Sequence, residues 1–526
     1  MESPCEDTIF ATIRWRPKDH KRRADSRRPS VQRRSQCAVR HLRSLASSRI
    51  FGSTAVLVAA LALTFAYAWP EQPAGWNARA HFALVRSLAH GTAKIDAYRD
   101  ETGDVAWYRG HYYAAKAPGL ALYSLPFWEV LRPIHQISQA GDRAIWALNF
   151  WANVVPAVVL FLLVRGVGDR LAPGTGLLSA IALSLGTMVL PFATMYFSHI
   201  PAATAAFAAF ALLVRERDGP FRTRTVFVAG LLAGIAVVFE YPTALVGLVL
   251  TAYVLGVSPR LARGVAYATG AAIGIVPLIA YQWIVYGSPL HTPYDDVVAV
   301  AGRSGHDVVG PNGKGVLGVT IPSFSNAVRL LVDDRGLLVL SPLVLAGVLG
   351  LVLIWRAGRR AESLTCLAIG AAFLVYNSGY RSVFGGIFAG GTPGPRLLLT
   401  CLPFLMLGAG PVWRRAPLAV SALIVASTAI FAAATVTYPR IGKEGTGPWT
   451  WWEYVRKSSF IDTLMVELGG PHGWLSVAPF VVALSTVLAV GIWTGRQRVS
   501  RSQAAIAVAA IFGWALLLTA AFLKAM

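Results

Sequence analysis

The sequence predicts an all-α polytopic membrane protein of about thirteen transmembrane helices, with juxtamembrane helices in its first external loop. Three observations carry this. Apolar runs long enough to cross a bilayer recur along the whole 526-residue chain. Charged residues make up only 14%, where a soluble domain carries roughly 25%. The basic residues that remain fall in short connectors between the apolar runs, which is the pattern of the positive-inside rule.

The net charge of +22 follows from those connectors, not from a nucleic-acid-binding face, so no nucleic-acid partner is expected. Residues 1–50 hold 13 Lys and Arg against 5 Asp and Glu and show no hydrophobic periodicity. They read as a basic, disordered cytoplasmic tail able to meet anionic lipid. The first apolar run starts near Gly52, too late and too long for a cleavable signal peptide. Cys5, Cys37, Cys366 and Cys401 have neither disulfide-framework nor metal-ligand spacing.

Taken in order, the first span is Gly52–Trp69, from inside to outside. A polar stretch, Glu71–Asp142, follows. Within it, Asn77–His90 spaces Phe82, Val85 and Leu88 as an amphipathic helix lying on the membrane. Ala117–Leu131 is apolar, but it is short for a crossing and contains Pro118 and Pro126. The connectors Arg165–Arg170, Arg215–Arg224, Arg260–Arg263, Arg356–Arg360, Arg414–Arg415 and Arg496–Arg501 should all be cytoplasmic. Counting back from Arg165, Ala144–Val164 runs inward, so Ala117–Leu131 must be juxtamembrane or re-entrant.

Further spans read as Gly174–Phe192, His199–Val214, Thr225–Phe239, Pro242–Gly256, Gly264–Tyr286, Gly336–Trp355, Ser363–Gly379, Arg396–Gly410, Pro417–Val436, Leu475–Trp493 and Gln503–Phe522. One transmembrane domain, residues 51–526, then carries external loops at 71–143, 286–335, 380–395 and 438–474. The long loops are outside and the short basic ones inside, so the chemistry should be outside. No inverted repeat of broken spans marks a secondary transporter.

The richest chemistry lies between Trp76 and Lys116, with four carboxylates, three histidines, the pair Tyr112-Tyr113 and two lysines. Such a set at the outer surface suits a substrate presented by the bilayer. A polyprenyl-phosphate sugar fits, with its tail in lipid, its phosphate at the interface and its sugar outside. That chemistry needs a cation for the phosphate and a carboxylate to take a hydroxyl proton. Lys116, at the start of the short apolar helix, suits the cation. Arg396, which opens a span after the glycine-rich run Gly385–Pro395, is a second phosphate candidate. Asp96 and Asp104 are the carboxylate candidates. A hairpin around Gly110 would bring Asp104 back beside Lys116. His199 and Glu240 are ionisable groups at otherwise apolar external span ends. Trp449-Thr450-Trp451-Trp452 reads as an interfacial aromatic belt.

Tyr112-Tyr113-Ala114-Ala115-Lys116-Ala117-Pro118-Gly119 resembles a motif of the GT-C superfamily of integral-membrane glycosyltransferases, nearest its protein mannosyltransferase-like and aminoarabinose-transferase-like members. Gly394-Pro395-Arg396-Leu397-Leu398 through Pro403 resembles a later motif of the same enzymes. The resemblance covers roughly residues 52–410. It implies about thirteen spans, two juxtamembrane helices after span one, and contact between Lys116 and the lipid-linked phosphate. Such enzymes carry an acid at the start of the first juxtamembrane helix. Here Gly75-Trp76-Asn77-Ala78-Arg79-Ala80-His81-Phe82 has none, which leaves the base to Asp104 or Asp96.

The expectation is an inverting glycosyltransferase of the plasma membrane with an external active site. It would move a sugar from a polyprenyl-phosphate donor to a glycan, lipid or protein acceptor of the cell envelope. Lys116 and Arg396 would hold the phosphate, and Asn77, His81, His111, Tyr113, His199 and Glu240 would line the substrate site. No metal or other cofactor is expected. A lipid or glycan transporter and a catalytically inactive scaffold of the same fold are the alternatives.

Overall fold

The structure is a computed structural model that describes residues 54–134, 141–298, 318–380, 386–440, 447–496 and 500–525. The chain forms two units, Met1–Val58 and Ala59–Met526. Of the first, only Thr54–Val58 is described, as helix, so the basic tail lies outside the described residues. The second unit is overwhelmingly helical.

Seven helices are long and apolar enough to cross a membrane, and a bent pair, Phe324–Leu340 with Leu343–Arg356, makes eight. Thr54–Ala68, Gly176–Gly186, Thr223–Phe239 and Tyr241–Leu255 are shorter apolar helices. By length and composition the structure therefore supports seven or eight of the expected thirteen or so spans. Several expected spans are broken. Gly174–Phe192 splits into Gly176–Gly186 and Val189–Thr194, and Gly336–Trp355 is interrupted at Ser341-Pro342. The second break holds Pro342, which removes a helical donor and clashes with the turn before it.

One close helix crossing is built from paired glycines. Gly230 and Gly234 on Thr223–Phe239 meet Gly270 and Gly274 on Arg260–Gly274. A Cβ on Gly270 would sit 2.0 Å from the Phe227 carbonyl oxygen, and one on Gly230 would sit 2.0 Å from that of Tyr267. Small residues four apart on both helices let the backbones touch, as transmembrane packing favours.

The first loop is as expected in outline. Trp76–Ala89 is the amphipathic helix, and it buries Phe82 and Val85. Gly119–Leu131 is the short apolar helix. Between them stands the one departure from an all-α fold among the described residues, an antiparallel hairpin. Strand β1 is Val105–Tyr108 and β2 is His111–Ala114, with Val105 opposite Ala114. Arg109 and Gly110 both have positive φ, 47° and 82°, the two-residue turn whose twist suits paired strands. Ala106 also bridges Val297, so the next long loop docks on the hairpin.

At the same end, the exit of the first span is clamped to a later loop. The Glu71 amide donates to the Asp462 carbonyl at 2.9 Å, and Leu464 donates to the Trp69 carbonyl at 2.9 Å. This brings Glu71 against Glu467, which also pairs with Arg143. Burial and the neighbouring Glu467 push the Glu71 carboxyl up to about 7.

The opposite end gathers basic connectors. Arg263 pairs with Glu216, both fully buried, and Arg359 pairs with Asp218 at 2.5 Å. Arg217 reaches Glu362 at 3.8 Å.

Two outcomes follow for the fold. Gly270→Ala should cost about 1–3 kcal/mol of stability, the scale of overpacking, because a backbone carbonyl cannot move aside. Gly247→Ala, where a Cβ meets nothing within 4 Å, should be neutral or slightly stabilising. Thermal melts in detergent distinguish the two. For Glu71, a raised carboxyl pKa means that the folded state holds a proton the unfolded state has lost. The stability tied to it is present below about pH 4.5 and is lost as pH rises towards about 7. Melting temperatures of Glu71→Gln should lack that downward slope between pH 5 and 7, and a slope equal to wild type would sink the assignment.

Candidate active site

The hairpin exists to return the chain. Ala115 donates to the Asp104 carbonyl at 3.0 Å, which closes the ladder one step beyond the strands. The Lys116 ammonium then meets the Asp104 carboxylate at 2.8 Å, with both side chains nearly buried, at 13% and 10% exposure. Thr102 fixes the approach. Its hydroxyl donates to the Trp76 carbonyl at 2.7 Å and accepts from the Asp104 amide at 3.1 Å.

Gly119 sets where this pair sits in the bundle. A Cβ there would lie 2.5 Å from the Val238 carbonyl oxygen, so the start of Gly119–Leu131 presses on the end of Thr223–Phe239. The next residue on that end is Glu240, held in the break before the short turn Tyr241–Thr243. The Thr243 hydroxyl donates to the Glu240 carbonyl at 2.8 Å. The Glu240 carboxylate accepts from His199 Nδ1 at 2.7 Å and from the Ser198 hydroxyl. His199 is the first residue of His199–Arg217, and its ring lies among Phe192 and Phe197.

One cavity collects these groups. Asn77 and His81 come from the amphipathic helix, Lys116 from the hairpin exit, and Ser198, His199 and Glu240 from the corners between helices. Arg396 enters from the turn Arg396–Cys401, with its guanidinium 6.0 Å from the centre of the Phe197 ring. The glycine-rich run before it is braced by buried Arg335, which donates to the Gly390 carbonyl at 3.0 Å. Four tyrosines complete the wall, Tyr241, Tyr294, Tyr376 and Tyr380.

His81 is 1% exposed, and neither ring nitrogen has a hydrogen-bond partner among the described residues. Burial first, and then the positive charge of Lys116, push its pKa down to about 3. It is therefore neutral near pH 7, with one donor and one acceptor available. Asn77 Oδ1, His199 Nε2 and Arg396 Nε are likewise buried without partners among the described residues. Buried polar atoms in native interiors are met by protein groups, water, an ion or a ligand.

Not every expected residue is here. Asp96 pairs with His111 Nδ1 at 2.9 Å and accepts from the Tyr112 amide at 2.8 Å, on the exposed side of the hairpin. Lys94 lies 2.9 Å from the other nitrogen of His111. Asp96 and His111 thus form a surface cluster and do not line the cavity. Tyr113 is buried in the core against Tyr286, with ring centres 5.8 Å apart, and does not line it either. His111 and Tyr113 are two apart on β2 and share a face; His111 stands beside the exposed Arg109-Gly110 turn, and Tyr113 lies further along, where the strand becomes buried. Trp451 is buried and donates to the Tyr438 carbonyl at 3.0 Å, and Trp452 is exposed.

Ser198, Tyr241, Tyr294, Tyr376 and Tyr380 were not expected in the site. Tyr376 and Tyr380 stand four apart at a helix end, a spacing that shares one face and could have marked them. Tyr294 offers no local signal, because it reaches the cavity through the loop that docks on β1.

No family model matches the chain, and no curated protein does. Solved structures do. ArnT from Cupriavidus metallidurans, bound to undecaprenyl phosphate, is 15% identical, with a TM-score of 0.51 over 91% of this chain and 77% of that one. The apo form of the same protein gives 0.51 and 15% over 88% and 77%. AglB, the Archaeoglobus fulgidus oligosaccharyltransferase solved with an inhibitory peptide and a dolichol-phosphate, gives 0.44 and 10% over 85% and 56%. At these identities the likeness is one of fold, and the fold of this chain is that of ArnT.

Proposed function

We propose that this protein is an inverting glycosyltransferase that moves a sugar from a polyprenyl-phosphate donor to a cell-envelope acceptor at the outer face of the membrane. One observation carries the reading. Two cations from distant parts of the chain, Lys116 and Arg396, converge on a cavity that also holds unmet neutral hydrogen-bonding groups. The pair of cations suits a phosphate. Asn77, neutral His81 and the four tyrosines suit a sugar, whose hydroxyls both donate and accept. ArnT, which shares the fold, is solved with undecaprenyl phosphate, and this supports the same class of donor here.

In the reaction, the acceptor oxygen attacks the anomeric carbon while the bond from that carbon to the phosphate oxygen breaks. Its electron pair goes to the phosphate, where Lys116 and Arg396 meet the growing charge. Asp104 holds Lys116 in place. In this reading the two side chains, and no metal, neutralise the leaving group. A transporter would need a continuing path to the basic end of the bundle. The fully buried Glu216–Arg263 pair and the Arg359–Asp218 pair there speak for the enzyme.

The test is product analysis of purified protein in liposomes given a panel of polyprenyl-monophosphate sugars. Release of polyprenyl phosphate coupled to a glycosylated product is the expected result, and binding without turnover of any donor would favour the transporter or scaffold. Lys116→Ala should lose about 2–4 kcal/mol of transition-state stabilisation, read from kcat/KM. Lys116→Arg should recover only part of it, since the planar guanidinium does not occupy the place of an ammonium. Unchanged turnover in Lys116→Ala would remove the lysine from the mechanism.

A further inference from the structure

The chain lacks an acid at the start of its first juxtamembrane helix, so the group that takes the acceptor proton has to be found in the cavity. We infer that His199 is the catalytic base, with its Nε2 accepting the acceptor hydroxyl proton and Glu240 holding the ring in the tautomer that makes this possible. The inference rests on the sugar-transfer reading above.

The geometry fixes the tautomer. His199 Nδ1 lies 2.7 Å from Glu240 Oε1. An ionised carboxylate only accepts, so Nδ1 carries the ring proton and Nε2 carries a lone pair. Nε2 has no hydrogen-bond partner among the described residues, and the His199 ring lines the cavity. Ser198, the preceding residue, donates to the same Glu240 oxygen and so holds the carboxylate in place. Glu240 follows directly on Thr223–Phe239, the helix that Gly230, Gly234, Gly270 and Gly274 pack against Arg260–Gly274. A carboxylate orienting one imidazole nitrogen while the other takes a proton is a general arrangement for basic catalysis.

The other titratable groups in or near the cavity are worse placed. Asp104 is committed to Lys116 at 2.8 Å and is not among the residues that line the cavity. Glu240 already accepts two hydrogen bonds. His81, with its pKa near 3, is too weak a base to hold a proton in the transition state. Asp96 is on the outer surface with His111. The groups that face His199 are Glu240 from the end of its helix, His81 from the amphipathic helix, Lys116 from the hairpin exit and Arg396 from its turn. Tyr241, Tyr294, Tyr376 and Tyr380 also face it. Three of the four ionisable neighbours are cationic or neutral, so Glu240 is the one close negative charge able to stabilise the imidazolium. In balance, the hydroxyl proton passes to Nε2 as the new carbon–oxygen bond forms. The phosphate leaves with the electron pair, and the imidazolium returns its proton to water or to the departing phosphate.

The experiment uses the full-length protein in liposomes with a donor the wild type turns over, so wild-type turnover tests the sugar-transfer reading and the variants test the base. His199→Gln should lower kcat about 10²–10⁴-fold. Its Kd for sugar-free undecaprenyl phosphate should stay within about threefold of wild type, on the same reasoning that the base does not touch the phosphate. Glu240→Gln keeps shape and removes charge. Wild-type kcat should fall on the acid side as the base protonates, and Glu240→Gln should move that limb to lower pH, a shift that a purely structural role would not produce. Retention of kcat within about tenfold in His199→Gln would overturn the inference, and so would joint loss of turnover and undecaprenyl-phosphate binding. An acid limb that disappears in Asp104→Asn but survives in His199→Gln would return the role to Asp104 and leave sugar transfer standing.

Discussion

A lysine ammonium placed where Lys116 sits must have an anionic neighbour. Its side chain is 13% exposed beside an apolar helix, where an unpaired charge would cost several kcal/mol. Asp104 supplies the neighbour, and the hairpin, the turn at Arg109-Gly110 and the Thr102 contacts all serve to bring it there. A buried pair of this kind adds little to stability by itself. Its effect is positional, because it fixes a cation at the point where the first loop, the end of Thr223–Phe239 and the Arg396 turn meet.

That meeting point depends on backbones approaching more closely than side chains allow. Gly119 lets the juxtamembrane helix rest on the Val238 carbonyl, and four glycines let the helix ending at Phe239 lie directly on its neighbour. The two contacts lie along one helix. A shift at the crossing would carry Glu240, and with it His199, away from Lys116. The packing link and the chemical link are the same set of residues, so damage to stability and damage to the site should be hard to separate at these glycines.

Much of this was legible in the sequence, for reasons that are local. Apolar length gave the helix Pro417–Val436 to the residue, and spacing gave the amphipathic helix to within one residue at each end. The short hairpin expected around Gly110 is there, with Val105–Tyr108 paired to His111–Ala114. The site was legible where its residues are close in sequence or stand out chemically, as Lys116 and Asp104 do. It was not legible where position along the hairpin decides what a residue meets. Asp96, His111 and Tyr113 lie in the right stretch but are turned to the surface or into the core. Tyr294, Tyr376 and Tyr380 could not be seen, because only the docking of one loop on another brings them in. Pro342, within an expected span, marks a break that hydropathy alone reads through.

The pairing of His199 with Glu240 joins residues 41 apart across a helix and its return, and nothing in either segment announces it. Its consequence lies in the charge of the cavity as a whole. Lys116 is paired with Asp104, and the Glu240 carboxyl is held below its usual range chiefly by His199, with a smaller contribution from Arg396. Lys116 therefore already has an anionic partner. In the proposed reaction a phosphate would have to compete with Asp104 for Lys116, and so would be held loosely before the sugar leaves. As the bond to the sugar broke, negative charge on the phosphate would grow and the competition would shift in its favour. Interactions that strengthen only as charge develops are the ones that raise a rate without trapping the substrate, and partnered cations are a physical means of producing them.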